Sequence, residues 1–400
     1  MTFIIFLIVL GLLVFVHELG HFLAAKKAGV KVEEFGFGYP PRALKLGRKW
    51  GTLFTLNWIP FGGFVKIFGE NYEEKETQNP QEENPPRIKS SEESLAEQSE
   101  ETRGLLEEEL YSEKVLSENR HFTQISKKWQ ATILASGVIF NVIFAWFLLS
   151  LGFMIGLPAS VDNDYGGVVK DPSLTVIEVV MDSPAKDIGI KSGDKINSLS
   201  LENGEVLQQP NLETTSNFIN NSIGQILVEI DRGGEILDFK LTPNTNIEKG
   251  RRLIGISMDM VGTLSLPIHK AVYEGGKTTF DITYLTVDGI FGLIKKAVKG
   301  DPDISQIAGP VGIINLVGDA TKLGFVYLLS FTALISINLA IINMIPFPAL
   351  DGGRILFVAI EGITKKPISP KIAGALNTVG FALLIIIMLI VTYKDILRMF

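Results

Sequence analysis

Four stretches of this chain have the length and apolarity of membrane-crossing helices. The hydrocarbon core of a bilayer is about 30 Å thick, so a helix needs roughly 20 mostly apolar residues to cross it. The first stretch runs from Phe3 to about Ala25 and is apolar except for His17, Glu18 and His21. The second runs from about Trp129 to Ile155 and contains Asn141. The third, Phe325 to about Ile345, contains Asn338, and the last, Ile372 to Thr392, has LLIIIMLIV at its heart. A cleaved signal peptide carries basic residues ahead of its apolar core. No Lys or Arg precedes Lys26, so the first stretch reads as a span. Composition agrees: 46% of residues are hydrophobic, 20% are charged and mean hydropathy is +0.28, which is high for a water-soluble domain. The absence of Cys excludes a disulfide scaffold and any thiolate metal site.

Basic residues close to span ends set the expected direction. Lys26, Lys27, Lys31, Arg42, Lys45, Arg48 and Lys49 follow the first span, and Lys127 and Lys128 precede the second. Arg354, Lys365, Lys366 and Lys371 lie between the third and fourth. These groups mark the expected cytoplasmic side of a multi-pass membrane protein. Both termini and the region from Leu157 to about Leu323 are then expected outside. From Glu70 to Arg120 there are 16 Glu against six Lys or Arg, a local net charge of −10, within a chain total of −7. This acidic segment buries too little apolar surface to offset its chain entropy, so it is expected to be largely disordered. No basic footprint for nucleic acid is present.

Between the spans, WGTLFTLNWIPFGGFVKIFG (50–69) is aromatic and β-branched around a Pro-Phe-Gly-Gly break. It predicts a membrane-associated β-hairpin of two short strands turning around Pro60 to Gly63. Downstream, TVIEVV alternates as a strand, and ILVEIDRGGEILDFKL reads as two strands joined by Arg-Gly-Gly. With SPAKDIGIKSGDKI between them, the region resembles a PDZ domain, a fold that binds extended peptides at a sheet edge. Pro267 to Lys299 is too polar to span and reads as amphipathic helix on the outer membrane surface.

The expected class is thus a polytopic α-helical membrane protein with four transmembrane helices, an inserted β-rich PDZ-like domain and a membrane-associated β-hairpin. The expected organisation is a first span over 1–28, the hairpin region over 29–69, the acidic insert over 70–120 and a second span over 127–156. The PDZ-like domain follows over 165–245 and an amphipathic-helix region over 246–322. The third span with its Pro-rich end covers 323–352, and the fourth 371–394.

Chemistry concentrates in VFVHELGHFLA. His17 and His21, at i and i+4, share one helix face and can reach one metal ion, the pattern H-E-x-x-H. Glu18 lies about 100° round the helix, placed to polarise water without ligating. In hydrocarbon such a cluster costs several kcal/mol unless paired or coordinated, so it marks function. Catalytic zinc takes three protein ligands and keeps one position open. The chain has four His; His121 and His269 lie away from this end of the first span, so a carboxylate is expected as third ligand. Asp351, just past the third span in NMIPFPALDGGR, is favoured. Glu361, ten residues further along near the basic loop, competes, although a solvated or helix-capping role suits it better.

HELGH in the first span, together with Asn343, Pro346, Pro348, Asp351 and Gly352 in the pattern N-x-x-P-x-P-x-x-DG, resembles the site-2 protease family of intramembrane zinc metalloproteases. The PDZ-like insert points to the bacterial branch that includes the regulator of sigma-E protease. The likeness covers almost the whole chain, including GPVGI at Gly309 to Ile313. The family pattern A-G-P-x-x-N in the second span is met here by Ser136, Gly137 and Asn141 with Val138 in place of Pro. One PDZ-like module stands where some relatives have two.

The resemblance implies Zn2+ held by His17, His21 and Asp351, with Glu18 as general base. It further implies Asn343, Asn141 and Pro348 as contacts for an unwound substrate, which the hairpin would pair by strand addition. The implied substrates are single-span membrane proteins already trimmed outside, such as anti-sigma factors or signal-peptide remnants. An extended peptide is the implied ligand of the PDZ-like module. The alternative is a non-catalytic membrane scaffold that binds peptides through that module and keeps a structural metal. Structural zinc normally fills four protein positions, and three candidates are visible. A metal transporter would spread polar residues along several spans, whereas here they cluster at one depth.

Overall fold

The computed structural model describes residues 1–70, 121–247, 251–299 and 309–397. The acidic insert expected over 70–120, Glu70 apart, lies outside the described residues. Helix α1 (Thr2–Lys27) is followed by strands β1 (Val32–Lys49) and β2 (Thr52–Ile67), then by α2 (Lys127–Ile155). After the β-rich region come α5 (Ile268–Val298), α6 (Pro310–Leu323), α7 (Phe325–Met344), α8 (Asp351–Thr364) and α9 (Pro370–Leu397). Among the described residues α1, α2, α7 and α9 are long and apolar enough to cross a membrane.

Helix α2 starts where the Ser126 hydroxyl accepts the Trp129 N–H, and it packs against α1, α5, α7 and α8. A Cβ on Gly20 of α1 would stand 2.5 Å from the Ser136 carbonyl oxygen, so only glycine allows the two spans to approach this closely. Helix α7 stops at Met344 because Ile345 precedes Pro346 and sits in extended backbone. The segment expected as one span-bearing unit over 323–352 is therefore a helix, a proline-bearing loop and the first turn of α8.

The hairpin turns at a different place from the one expected. The chain reverses at Trp50–Gly51, where both residues have positive φ and Lys49 pairs with Thr52, a two-residue turn matched to strand twist. Residues 63–67 run antiparallel to residues 32–37, and residues 53–56 run parallel to residues 34–37 on the other side, so Pro60 to Gly63 carries a crossover. The sheet rests on α1 through Phe35 and Phe54, which meet Phe22 edge-on; Phe35 also meets Phe15.

The β-rich region is one antiparallel sheet in the order β3-β11-β4-β5-β7-β8, with β6 beside β5. Its strands are β3 (Leu157–Ser160), β4 (Lys170–Val179), β5 (Lys195–Leu201), β6 (Val206–Gln208), β7 (Ile226–Arg232), β8 (Glu235–Leu241) and β11 (Ile256–Leu264). Short strands β9 (Asn244–Ile247) and β10 (Arg251–Leu253) pair separately, and helices α3 (Pro184–Asp187) and α4 (Leu212–Asn221) complete the domain. Leu174, Val176, Leu199, Ile226, Val228 and Ile230 form its core. Strands β7 and β8 join at Gly233–Gly234, both at positive φ. Strand β11 falls in the stretch expected as amphipathic helix over 246–322. It pairs with β3 and β4, and this non-local pairing ties the domain to the end of α2.

Helix α5 does not stand apart from the spans. It runs beside α2: the Trp146 indole N–H donates to the Val272 carbonyl at 2.8 Å, and Gly275 abuts Ser150. The GPVGI stretch opens α6, whose Gly312 N–H donates to Asp395 of α9 at 2.8 Å. Gly318 of α6 abuts Thr2 at the start of α1, and Leu323 meets Gly193 of the β-domain. The start of α1, the end of α9 and the β-domain thus lie at one end of the helices.

Candidate active site

His17 and His21 are one turn apart on α1, so both imidazoles face α2 and both are buried. Asp351 reaches them from the first turn of α8. The loop before it folds back tightly because Gly352 and Gly353 lie against the carbonyls of Met344, Ile345 and Phe347, leaving no room for a Cβ. His17 Nε2 lies 2.9 Å from Asp351 Oδ2, His21 Nε2 lies 3.5 Å from the same oxygen, and the two Nε2 atoms are 3.1 Å apart. Tetrahedral zinc with bonds of about 2.0–2.1 Å needs ligand atoms about 3.3 Å apart. The three atoms meet that spacing.

Space for an ion is present as well. A Cβ on Gly137 of α2 would stand 2.5 Å from His21 Nε2 and 2.8 Å from His17 Nε2. The donor set of two imidazoles and one carboxylate, with glycine leaving the adjoining space free, fits Zn2+ held by His17, His21 and Asp351.

The imidazoles are oriented from α2. His21 Nδ1–H donates to the Ile133 carbonyl at 2.8 Å, which leaves the Nε2 lone pair for a metal. Asn141, fully buried, lies 3.3 Å from His17 Nδ1 through its carboxamide. Gly63 of β2 lies beside Glu18: a Cβ there would stand 3.8 Å from the Glu18 Cγ. The last segment of β2 thus lies directly over Glu18.

Helix α8 is fixed by two ion pairs. Arg354 Nη1 meets Glu70 Oε1 at 2.5 Å, and Lys127 Nζ meets Glu361 Oε2 at 2.5 Å. Glu361 also accepts the Ile368 N–H at 2.8 Å. The competing carboxylate is therefore occupied in anchoring α8, away from the imidazoles. Asn343 is half-buried at the end of α7, and Pro348 packs against Gly380 of α9. Sequence reasoning missed Gly137, the Ile133 carbonyl and the Glu70–Arg354 pair. The S-G-V-I-F-N pattern drew attention to the right turn of α2 without giving Gly137 a role.

A pair of imidazoles on one span, a carboxylate delivered by a second helix and a glutamate beside them define a metallopeptidase built from membrane-crossing helices. The chain belongs to peptidase family M50, whose model matches residues 5–387. It is 31% identical to the regulator of sigma-W protease RasP of Bacillus subtilis, an alignment covering 100% of this chain and 99% of that protein. A putative zinc metalloprotease of Clostridium perfringens is 32% identical, with 99% of this chain and 98% of that protein covered. The zinc metalloprotease RasP of Geobacillus kaustophilus is 29% identical, with 100% and 98% covered. This chain is a zinc metalloprotease of the membrane.

Proposed function

We propose that this protein cleaves transmembrane segments of single-span membrane proteins whose outer domains have already been trimmed. The observation that carries the reading is convergence: His17, His21, Asp351 and Glu18 meet in the half of the helix bundle away from the β-domain, beside a strand edge. The relative from Bacillus subtilis bears the name of a regulator of sigma-W, so anti-sigma factors are the substrate class proposed first, with signal-peptide remnants second.

His17, His21 and Asp351 would hold Zn2+, which would supply Lewis acidity toward the scissile carbonyl and lower the pKa of a water to about 7. Glu18 takes the proton from the attacking water and passes it to the departing amine. A helical substrate hides its amides in its own hydrogen bonds, so it must be held extended. The 63–67 edge of the sheet, with Gly63 beside Glu18, supports capture by strand addition there. Asn343 makes no side-chain hydrogen bond among the described residues, which leaves its carboxamide for the substrate backbone. Pro348 shapes the same loop.

The basic residues near the ends of α1, α2 and α8 support a cytoplasmic position for the site and an outer position for the β-domain. There a PDZ-like module would bind a peptide end or exclude bulky ectodomains.

The test compares the full chain with Glu18→Gln in detergent, on a single-span substrate lacking its ectodomain. Cleavage is expected to fall by about 10²–10⁴-fold with bound zinc unchanged. Equal cleavage by both proteins would overturn the role of Glu18. No cleavage by wild type loaded with one zinc would overturn the protease substrate class.

A further inference from the structure

His17 presents Nε2 to the metal position, so its Nδ1 must carry the hydrogen, and a buried N–H needs an acceptor. His21 has one in the Ile133 carbonyl. For His17 the group in reach is the Asn141 carboxamide, 3.3 Å away and fully buried, with its nitrogen turned toward Nδ1. In that orientation two donors face each other. At the same time the Asn141 Oδ1 atom is buried with no hydrogen-bond partner. The two ends of a carboxamide are nearly isosteric, and half a turn about its last torsion exchanges them. The exchange sets Oδ1 on the Nδ1–H and removes the unpaired acceptor. The backbone that carries Asn141 is held in place as well: its carbonyl accepts the hydroxyl of Ser336 on α7 at 2.8 Å.

We propose that Asn141 is a positioning residue that accepts the His17 Nδ1–H and so fixes the tautomer and ring plane that offer Nε2 to zinc. This rests on the ligand set assigned above. It differs from a substrate contact, because the amide lies on the Nδ1 side of the imidazole, opposite the Nε2 that faces Asp351. A metal-ligating His whose outer partner is lost typically weakens metal binding about 10–100-fold.

The full-length protein is compared with Asn141→Leu, close in shape but without an acceptor, and Asn141→Asp, which keeps one. Zinc affinity is read by chelator competition, and ring nitrogens by NMR after labelling histidine with 15N; the chain has four His. Asn141→Leu is expected to bind zinc about 10–100-fold more weakly, and Asn141→Asp to stay within a few-fold of wild type. In zinc-loaded wild type the His17 Nδ1–H is expected to exchange slowly with solvent. Unchanged zinc affinity in Asn141→Leu, or rapid exchange of that N–H in wild type, overturns the proposal, and the second readout stands even if the Leu variant does not fold. A wild type that binds no zinc instead overturns the metal assignment itself.

Discussion

Gly137 stands so close to His21 that a Cβ on it would lie 2.5 Å from Nε2. The proposed metal position therefore adjoins a residue that contributes no ligand atom. Gly137→Ala is expected to cut zinc affinity at least about tenfold while α2 stays helical, since Ala favours a helix over Gly by roughly 0.5–1 kcal/mol. Zinc content after dialysis, beside the circular dichroism of both proteins, checks this. Full zinc retention by the variant would show that the space is not needed.

Metal removal gives a second expectation. A ligand that binds only the folded state stabilises it by RT ln(1 + [L]/Kd), about 2.7 kcal/mol at a hundredfold excess over Kd. Chelation should abolish cleavage and lower the melting temperature in detergent, and added zinc should restore both. Cleavage that persists in strong chelator would exclude a metal mechanism.

Arg354 and Glu70 join α8 to the end of the sheet, and Asp351 lies one turn before Arg354. Arg354→Met and Glu70→Gln should each weaken zinc binding, and the double variant should be little worse than either alone. Coupling of about 0.5–3 kcal/mol is usual for residues in one ion pair. Additive losses in the double-mutant cycle would mean that the pair does not act as a unit.

In the β-domain, Arg232 meets Asp194 through two nitrogens at 2.6 and 2.7 Å, and Asp194 is 1% exposed. Removing one partner of a buried pair costs about 3–5 kcal/mol. Arg232→Ala should fall at the lower end, because the arginine is itself partly exposed. Hydrogen exchange across β5 and β7 in the full chain should rise while exchange in α1 and α2 is unchanged.

Much of this architecture could be read along the chain because its causes are local. Twenty apolar residues in a row can be satisfied in hydrocarbon only as a helix, and His17 and His21 at i and i+4 share a face by helix geometry alone. The Asp351 motif was legible because prolines at 346 and 348 must end a helix. The β-hairpin was misread around Pro60 because a strong turn signal also suits a crossover, while Trp50–Gly51 offers only one glycine. Strand β11 was missed because its partners β3 and β4 lie far back in the sequence.

The sequence by itself determined the spans, the two imidazoles and the glutamate between them, since each follows from hydrophobic length or helical period. Only the tertiary structure decided that Asp351 rather than Glu361 faces the imidazoles, that Gly137 brings α2 against them, and that the last segment of β2 lies beside Glu18. These depend on how α1, α2, α8 and the sheet edge approach one another, and packing between distant segments has no local period to announce it.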